Sequence, residues 1–366
     1  MSLQTDFIYQ LALMGVDGLG PVRTKTLIDH FGSAELVFEE KPSTLRKLKG
    51  IGNILANAVS GHSCLQKAEE EVEWAEKNQV QMLSFQSDAY PGRLKRCADG
   101  PVVLFYKGNI DFNPERVVGI VGTRKCTSYG KRQTEELVET LKNYKVQIVS
   151  GLAAGIDGLA HRCAVEQGLS TLGVFGTGLD RIYPTENKRI AESMLEKGGW
   201  VSDFYHGTIP DRENFPKRNR IVAGMVDTLV VVESRLQGGS MITAELAMGY
   251  NRDVLAFPGK ATDDVSKGCN VLIKNNKAGL ILDGGDVVAN QRWEKKKIAA
   301  RQTQMFAQFN AFEQKIVDAL TDQSKVHIDS LMEKTGMKNS EMSMHLLTLE
   351  MNGIIEGKPG NCYALI

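Results

Sequence analysis

Nine short runs rich in apolar and β-branched residues punctuate the chain from Val80 onward: VQMLSF, VVLFYKG, RVVGIV, VQIVS, STLGVF, WVSDF, DTLVVVE, DVLAFPG and LILDGG. Several are continuously apolar, as strands covered on both faces must be. Helical stretches separate them, for example YGKRQTEELVETLKN and GLAAGIDGLAHRCAVEQG. A strand that runs parallel to its predecessor needs a crossover, usually a helix. The alternation therefore predicts an α/β fold with a doubly wound, mostly parallel sheet over residues 86–290.

The flanks have a different texture. Residues 1–85 read as a helical domain, with apolar residues at helical spacing in FIYQLALM and LQKAEEEVEWAEK. Two similar turns interrupt it, GLGPVRTKTL (Gly18, Gly20) and GIGNILANAV (Gly50, Gly52). Each frees backbone N–H groups at a helix start, where an anion can sit. They resemble helix-hairpin-helix modules that grip DNA phosphates; equally, the glycines only permit tight turns in a packed bundle. Residues 291–305 read as a basic linker. Residues 306–366 carry three helical segments, AFEQKIVDALT, HIDSLMEKTG and SEMSMHLLTLEMNG, then a hairpin turning at Pro359–Gly360. That is the pattern of a winged helix-turn-helix.

A length of 366 residues suits about two to three domains. No apolar run approaches the ~18 residues of a membrane span, and the first residues lack the basic and apolar regions of a signal peptide. A cytoplasmic location without a membrane partner is the expectation. Six scattered cysteines with no CxxC suggest small buried residues rather than a disulfide framework or zinc site. Net charge is 0, so the total advertises no polyanion partner. Its distribution is uneven: residues 1–85 carry 8 basic and 11 acidic residues, 86–290 carry 26 and 24, 291–310 carry 5 and 1, and 311–366 carry 5 and 8.

The informative residues follow strands, where ligands bind in such sheets. In GIVGTRKCTSYG, Gly122, Thr123 and Arg124 leave a strand together; a glycine lets backbone approach a phosphate and a guanidinium can hold it bidentately. There is neither GxGxxG nor GxxxxGK[ST], which argues against a nicotinamide or P-loop nucleotide. No metal, cofactor or catalytic residue is called for by any motif. In SGLAAGIDGLAH, Ser150 and Gly151 end a strand, Gly155 and Asp157 open a helix and His161 lies one turn on. Asp157 and His161 read as loop-ordering groups rather than a metal or acid–base pair, since no third ligand lies nearby. Gly176 and Gly178 follow the next strand. In NFPKRNRIVAG, Lys217, Arg218, Asn219 and Arg220 sit at a helix start, where cations oppose the dipole unless an anion lies between them. Gly238, Gly239 and Ser240 in LQGGSMITAELAMGY offer N–H groups and a hydroxyl, with Thr243 a turn later. The sum is a phosphate-rich ligand at one sheet edge. Tyr183 and Phe215 could stack bases of a single strand, although Phe215 reads equally as core.

The stretches YPGRLKRCADGPVVLFYKGN, GIVGTR, SGLAAGIDGLAH, GTGLDRIYP, NFPKRNRIVAG, GGSMITAELA and FPGKATDDVSKGCNVLI resemble the DNA-processing DprA family, also called Smf, in the family's order over about residues 90–275. The resemblance implies an extended Rossmann-like domain of the lonely-guy-like superfamily, between an N-terminal helical (helix-hairpin-helix or SAM-like) domain and a C-terminal winged helix. It implies a single-stranded-DNA-binding protein that protects incoming DNA during natural transformation, helps load the RecA recombinase and dimerises through the Rossmann-like domain. On that reading Arg124, Lys217, Arg218 and Arg220, with Asn219, contact DNA phosphates. Gly122, Thr123, Ser150, Gly151, Gly238, Gly239 and Ser240 form the phosphate pocket, and Gly155, Asp157, His161, Gly176, Gly178, Phe215 and Thr243 shape it. Thr123 stands where Ser is common, and Met225 where a small polar residue is common.

Two other functions fit the residues less well. The core is also similar to the lonely-guy phosphoribohydrolases, whose loop reads G-G-x-G-T-x-x-E. Glu245 keeps its spacing here, but Met241-Ile242 replaces Gly-Thr and obstructs the backbone approach, which disfavours hydrolysis. A sequence-specific regulator would need a recognition helix with basic or amide side chains. SEMSMHLLTLEMNG has two Glu, one His and neither Arg nor Lys, so the winged helix is expected to meet protein, or its own chain, rather than duplex DNA.

Overall fold

The computed structural model describes residues 3–293, 309–321, 325–358 and 361–365. The chain divides into two compact units, Met1–Lys295 and Lys296–Ile366. Of the linker expected at 291–305, residues 294–305 lie outside the described residues, as does the expected turn at 359–360.

The nine apolar runs form one nine-stranded sheet: β1 (Gln81–Ser84), β2 (Val103–Gly108), β3 (Val117–Val121), β4 (Gln147–Ser150), β5 (Thr171–Val174), β6 (Gly198–Ser202), β7 (Thr228–Val231), β8 (Asp253–Ala256) and β9 (Gly279–Leu280). Their order is β1-β2-β6-β5-β4-β3-β7-β8-β9. From β6 to β9 all neighbours are parallel, whereas β2 pairs antiparallel with both β1 and β6. Residues of β3, β4, β5 and β7 are buried throughout, because helices cover both faces. The chain winds from β3 toward β6 on one side and from β7 toward β9 on the other. The winding reverses between β3 and β7, and a crevice opens there at the carboxyl ends of the strands.

The N-terminal helices Leu3–Met14, Pro21–Phe31, Ala34–Glu39, Pro42–Leu45, Asn53–Ser60 and Leu65–Lys77 belong to the same compact unit. Leu11, Leu27 and Val72 share one apolar core with Leu104 and Val201 of the sheet. Polar contacts fix the docking. The Tyr205 hydroxyl donates to the Leu11 carbonyl, and buried Glu71 accepts from the His206 N–H at 2.9 Å. The His206 ring bonds the same carboxylate at 2.5 Å and stacks on Trp74 at 4.8 Å. Burial raises the Glu71 pKa, against the pull of His206.

The second unit has helices Ala311–Thr321, Ile328–Thr335 and Asn339–Met351, with β10 (Val326–His327), β11 (Ile355–Lys358) and β12 (Cys362–Leu365) in the order β10-β12-β11. Ile316, Leu331, Leu346 and Ile355 form its core. This is a winged helix with one short strand more than the hairpin read from the sequence.

Candidate nucleic-acid interface

The loop after β3 is held from beneath. Thr123 N–H donates to the Glu233 carbonyl at 2.8 Å, and the Thr123 carbonyl accepts from Ile156 N–H at 3.2 Å. A Cβ on Gly122 would lie 2.6 Å from the Ile156 side chain. Gly155 has φ +79°, and a Cβ there would sit 2.3 Å from the Thr123 carbonyl oxygen. Both glycines therefore permit the close packing that presents Arg124 outward. The Arg124 guanidinium lies 5.2 Å from the Phe215 ring centroid. Glu233, which the sequence reading did not single out, is buried; its carboxylate accepts from the Thr127 N–H at 2.9 Å and the Thr127 hydroxyl at 2.5 Å.

The loop after β4 is clamped at one peptide. Gly151 N–H donates to Asp157 Oδ2 at 3.1 Å, and its carbonyl accepts from Arg218 Nη1 at 2.5 Å. A side chain on Gly151 would collide with that guanidinium, its Cβ 2.3 Å from Nη1. Arg218 also donates to the Val174 carbonyl, so it ties the ends of β4 and β5. Burial lowers its pKa to about 10, with Asp157 pulling the other way, and it stays cationic at neutral pH. Burial raises the Asp157 pKa, opposed chiefly by Arg218. Asp157 thus orders the loop, as expected.

Of the expected site residues, Ser150 and His161 serve the interior, and Ser240 bonds within its own loop at the cavity wall. Ser150 is fully buried and donates to the Ile120 carbonyl of the adjacent strand at 2.5 Å. The Ser240 hydroxyl donates to Ser234 Oγ at 2.8 Å, closing the loop on itself. His161 is fully buried, with its Nδ1 hydrogen-bonded to Thr171 Oγ1 at 2.7 Å. Burial, then the Arg218 charge, pushes the His161 pKa down to about 3. His161 supports the sheet and does not line the cavity.

Around the crevice these loops enclose a cavity of about 640 Å³. Gly122, Thr123, Arg124, Gly151, Asp157, Phe215, Arg218, Asn219, Gly238, Gly239, Ser240 and Thr243 line it, together with Lys125 and Arg235. Gly239 has no atom within 4 Å of where a Cβ would stand, so its backbone faces open space. Asn219 Nδ2 donates to the Gly239 carbonyl at 3.4 Å and Thr243 Oγ1 to the same carbonyl at 3.2 Å, fixing the start of the Gly239–Gly249 helix. Gly176, Tyr183 and Phe215 line a smaller adjoining pocket with Arg124. Phe215 is half-buried, with its ring edge on Gly176 and Tyr183 5.9 Å away, so it is a wall residue rather than core. Gly178 stays outside the cavity; a Cβ there would lie 2.5 Å from the Tyr205 carbonyl oxygen, so it packs the next loop. Four cationic side chains and one carboxylate line the large cavity, which suits an anion.

Residues 81–292 match the family model for DNA recombination-mediator protein A, and residues 308–361 match the DprA winged helix domain. The chain belongs to the DprA/Smf family. Protein Smf of Synechocystis is 31% identical, over 97% of this chain and 98% of its own length. The DNA processing protein DprA of Streptococcus pneumoniae is 43% identical, over 57% of this chain and 73% of its own length. Among solved structures, DprA from S. pneumoniae has a TM-score of 0.61 at 31% identity, covering 79% of this chain and 98% of that one. DNA processing protein A from Helicobacter pylori, reported for its unique single-stranded DNA binding mode, has a TM-score of 0.53 at 27% identity, over 58% of this chain and 96% of that one. The protein is therefore a DNA-processing protein of recombination.

For a DprA chain, the NFPKRNR cations are arranged differently from the sequence expectation. Lys217 and Arg220 do not enter the Gly-loop cavity. Consecutive helical residues point about 100° apart, so three cations within four positions cannot share one pocket. Arg218 turns inward, while Lys217 and Arg220 face a separate cleft. Arg220 pairs with Asp203 there and donates to the Asp99 carbonyl. Arg218 and Arg220 are thus met by protein oxygens. Glu245, the carboxylate of the hydrolase reading, lies outside the cavity, 3.7 Å from Lys277. Among the described residues no His/Cys/Asp/Glu cluster could hold a metal, and no helix is long and apolar enough to cross a membrane. Cys97, Cys163 and Cys269 are buried; Cys64, Cys126 and Cys362 are half-buried.

Proposed function

We propose that the Gly-loop cavity captures the phosphate backbone of single-stranded DNA, and that the protein protects incoming strands and helps load RecA recombinase on them in natural transformation. The observation that carries the reading is the convergence of Arg124, Lys125 and Arg235 with open backbone at Gly239 on one crevice. Arg124 supplies a cation against an aromatic wall, where a base can stack as a phosphate binds. Gly151, held by Asp157 and Arg218, keeps the floor in place without an energetic cost at binding. The single-stranded DNA binding mode described for the H. pylori relative supports the strand as ligand. A homodimer formed through the sheet unit would set two such cavities on one strand and gain avidity. Cytoplasmic action fits this role.

The winged helix has a different part. Met344, Leu347 and Met351 are exposed on its Asn339–Met351 helix, an apolar rather than basic surface. It meets protein rather than duplex DNA on this reading.

RecA filament nucleation on single-stranded DNA tests the proposal. Strand coated with this protein should shorten the nucleation lag, and Arg124→Ala should restore it. A lag unchanged or lengthened by the wild type contradicts the loading role.

A further inference from the structure

The cleft that receives Lys217 is built from the N-terminal helices and the later, sheet-bearing part of the first unit. The Gly18–Gly20 turn and the Leu65–Lys77 helix form one wall, and the Asn214–Met225 helix forms the other, around about 710 Å³. The matched family model begins at residue 81, so the first wall lies outside it.

Arg23, Lys67, Lys217 and Arg220 line this cleft against Asp17 and Asp203. Asp203 is neutralised by Arg220. Arg23 is engaged by the fold itself. Its Nη1 donates to the Gly18 carbonyl at 3.1 Å, and its Nε lies 3.3 Å from where a Gly50 Cβ would stand. It thereby joins the two Gly turns. Lys67 and Lys217 are exposed on opposite walls. The Lys67 ammonium lies 5.4 Å from the Tyr205 ring centroid, so charge and an aromatic face occur together here as at Arg124 and Phe215.

The two clefts flank the start of the Asn214–Met225 helix. Arg212 and Pro216 line a shallow surface pocket with Arg124 and Phe215, and Lys217 is the next residue, on the other side. We propose that this second cleft is a further phosphate site for the same single strand, which leaves the Gly-loop cavity over Pro216 and is held by Lys217 and Lys67. This rests on the strand-binding reading above.

The test is binding of fluorescent oligonucleotides of about 5 and about 20 nucleotides to the full chain, across a salt series. A Lys67→Ala/Lys217→Ala variant is compared with Arg124→Ala and wild type. The proposal predicts that the double variant binds the short strand like wild type. It should bind the long one roughly tenfold or more weakly, with a log–log salt slope smaller by about 1.4, two contacts at ~0.7 each. Arg124→Ala should weaken both strands. If the double variant matches wild type on the long strand while Arg124→Ala does not, the second cleft is refuted and the strand-binding reading stands. Equal weakening on both lengths also refutes it, since Lys217 then acts at the first cavity. If the wild type binds neither strand, the underlying reading fails and takes this one with it.

Discussion

Gly155 and Gly239 should respond in opposite ways to the same substitution. At Gly155 the backbone has φ +79° and ψ −128°, a region that side chains enter at about 1–3 kcal/mol. The added methyl would also lie 2.3 Å from the Thr123 carbonyl oxygen and 2.6 Å from Arg124 carbonyl atoms. Those are backbone atoms of the loop after β3, and relieving such overpacking costs about 1–3 kcal/mol more. Gly155→Ala should therefore lose roughly 2–6 kcal/mol, a fall in Tm of about 5–20 °C for a unit of this size. At Gly239 nothing lies within 4 Å, and the residue opens a helix. Gly239→Ala should melt within about 0.5 kcal/mol of wild type, yet weaken strand binding by placing a methyl on the open backbone. Calorimetry and oligonucleotide anisotropy on both variants decide the matter. A Gly155→Ala protein as stable as wild type, or a Gly239→Ala protein equally damaged, would refute the assignment of one glycine to packing and the other to contact.

Arg218→Met should cost about 3–5 kcal/mol in urea denaturation, because it leaves two carbonyls and buried Asp157 without their cation; exposed Lys217→Ala should cost under about 0.5 kcal/mol. His161 gives a pH signature. Its folded pKa of about 3 lies below the unfolded 6.5, so the unfolded chain takes the proton first and stability present above pH 6.5 is lost as pH falls toward 3. Between pH 7 and pH 5 that loss is about 2 kcal/mol. His161→Leu should remove it from the pH dependence, measured as denaturation at both pH values; an unchanged pH slope would contradict a neutral buried ring.

The strands were legible because each is a short apolar run ended by glycine or a polar residue, and all nine runs entered the sheet. Their order was not, since β2 lies antiparallel beside β6 through pairings such as Phe105 with Ser202, nearly a hundred positions apart. The Gly-loop cavity was legible because ligands in such sheets sit beyond the carboxyl ends of the strands, so the strand ends alone locate it. Lys217 and Arg220 were misdirected by proximity in sequence, although helical spacing alone separates them from Arg218. Glu233 gave no signal: an acid at a strand end looks solvent-facing until Thr127, 106 residues away, is seen to donate to it. The N-terminal helices read as a separate domain because an apolar helix face looks the same whether it packs on its own bundle or on a sheet.

The most direct measurement is equilibrium binding of one labelled ~20-nucleotide strand and its duplex across a salt series, for wild type, Arg124→Ala and Arg235→Ala. The account predicts preference for the single strand, weakened in both variants, with the salt slope reduced by ~0.7 for each cation removed. Single-strand binding that is absent, or identical in affinity and slope in all three proteins, would contradict the Gly-loop cavity as the site of capture.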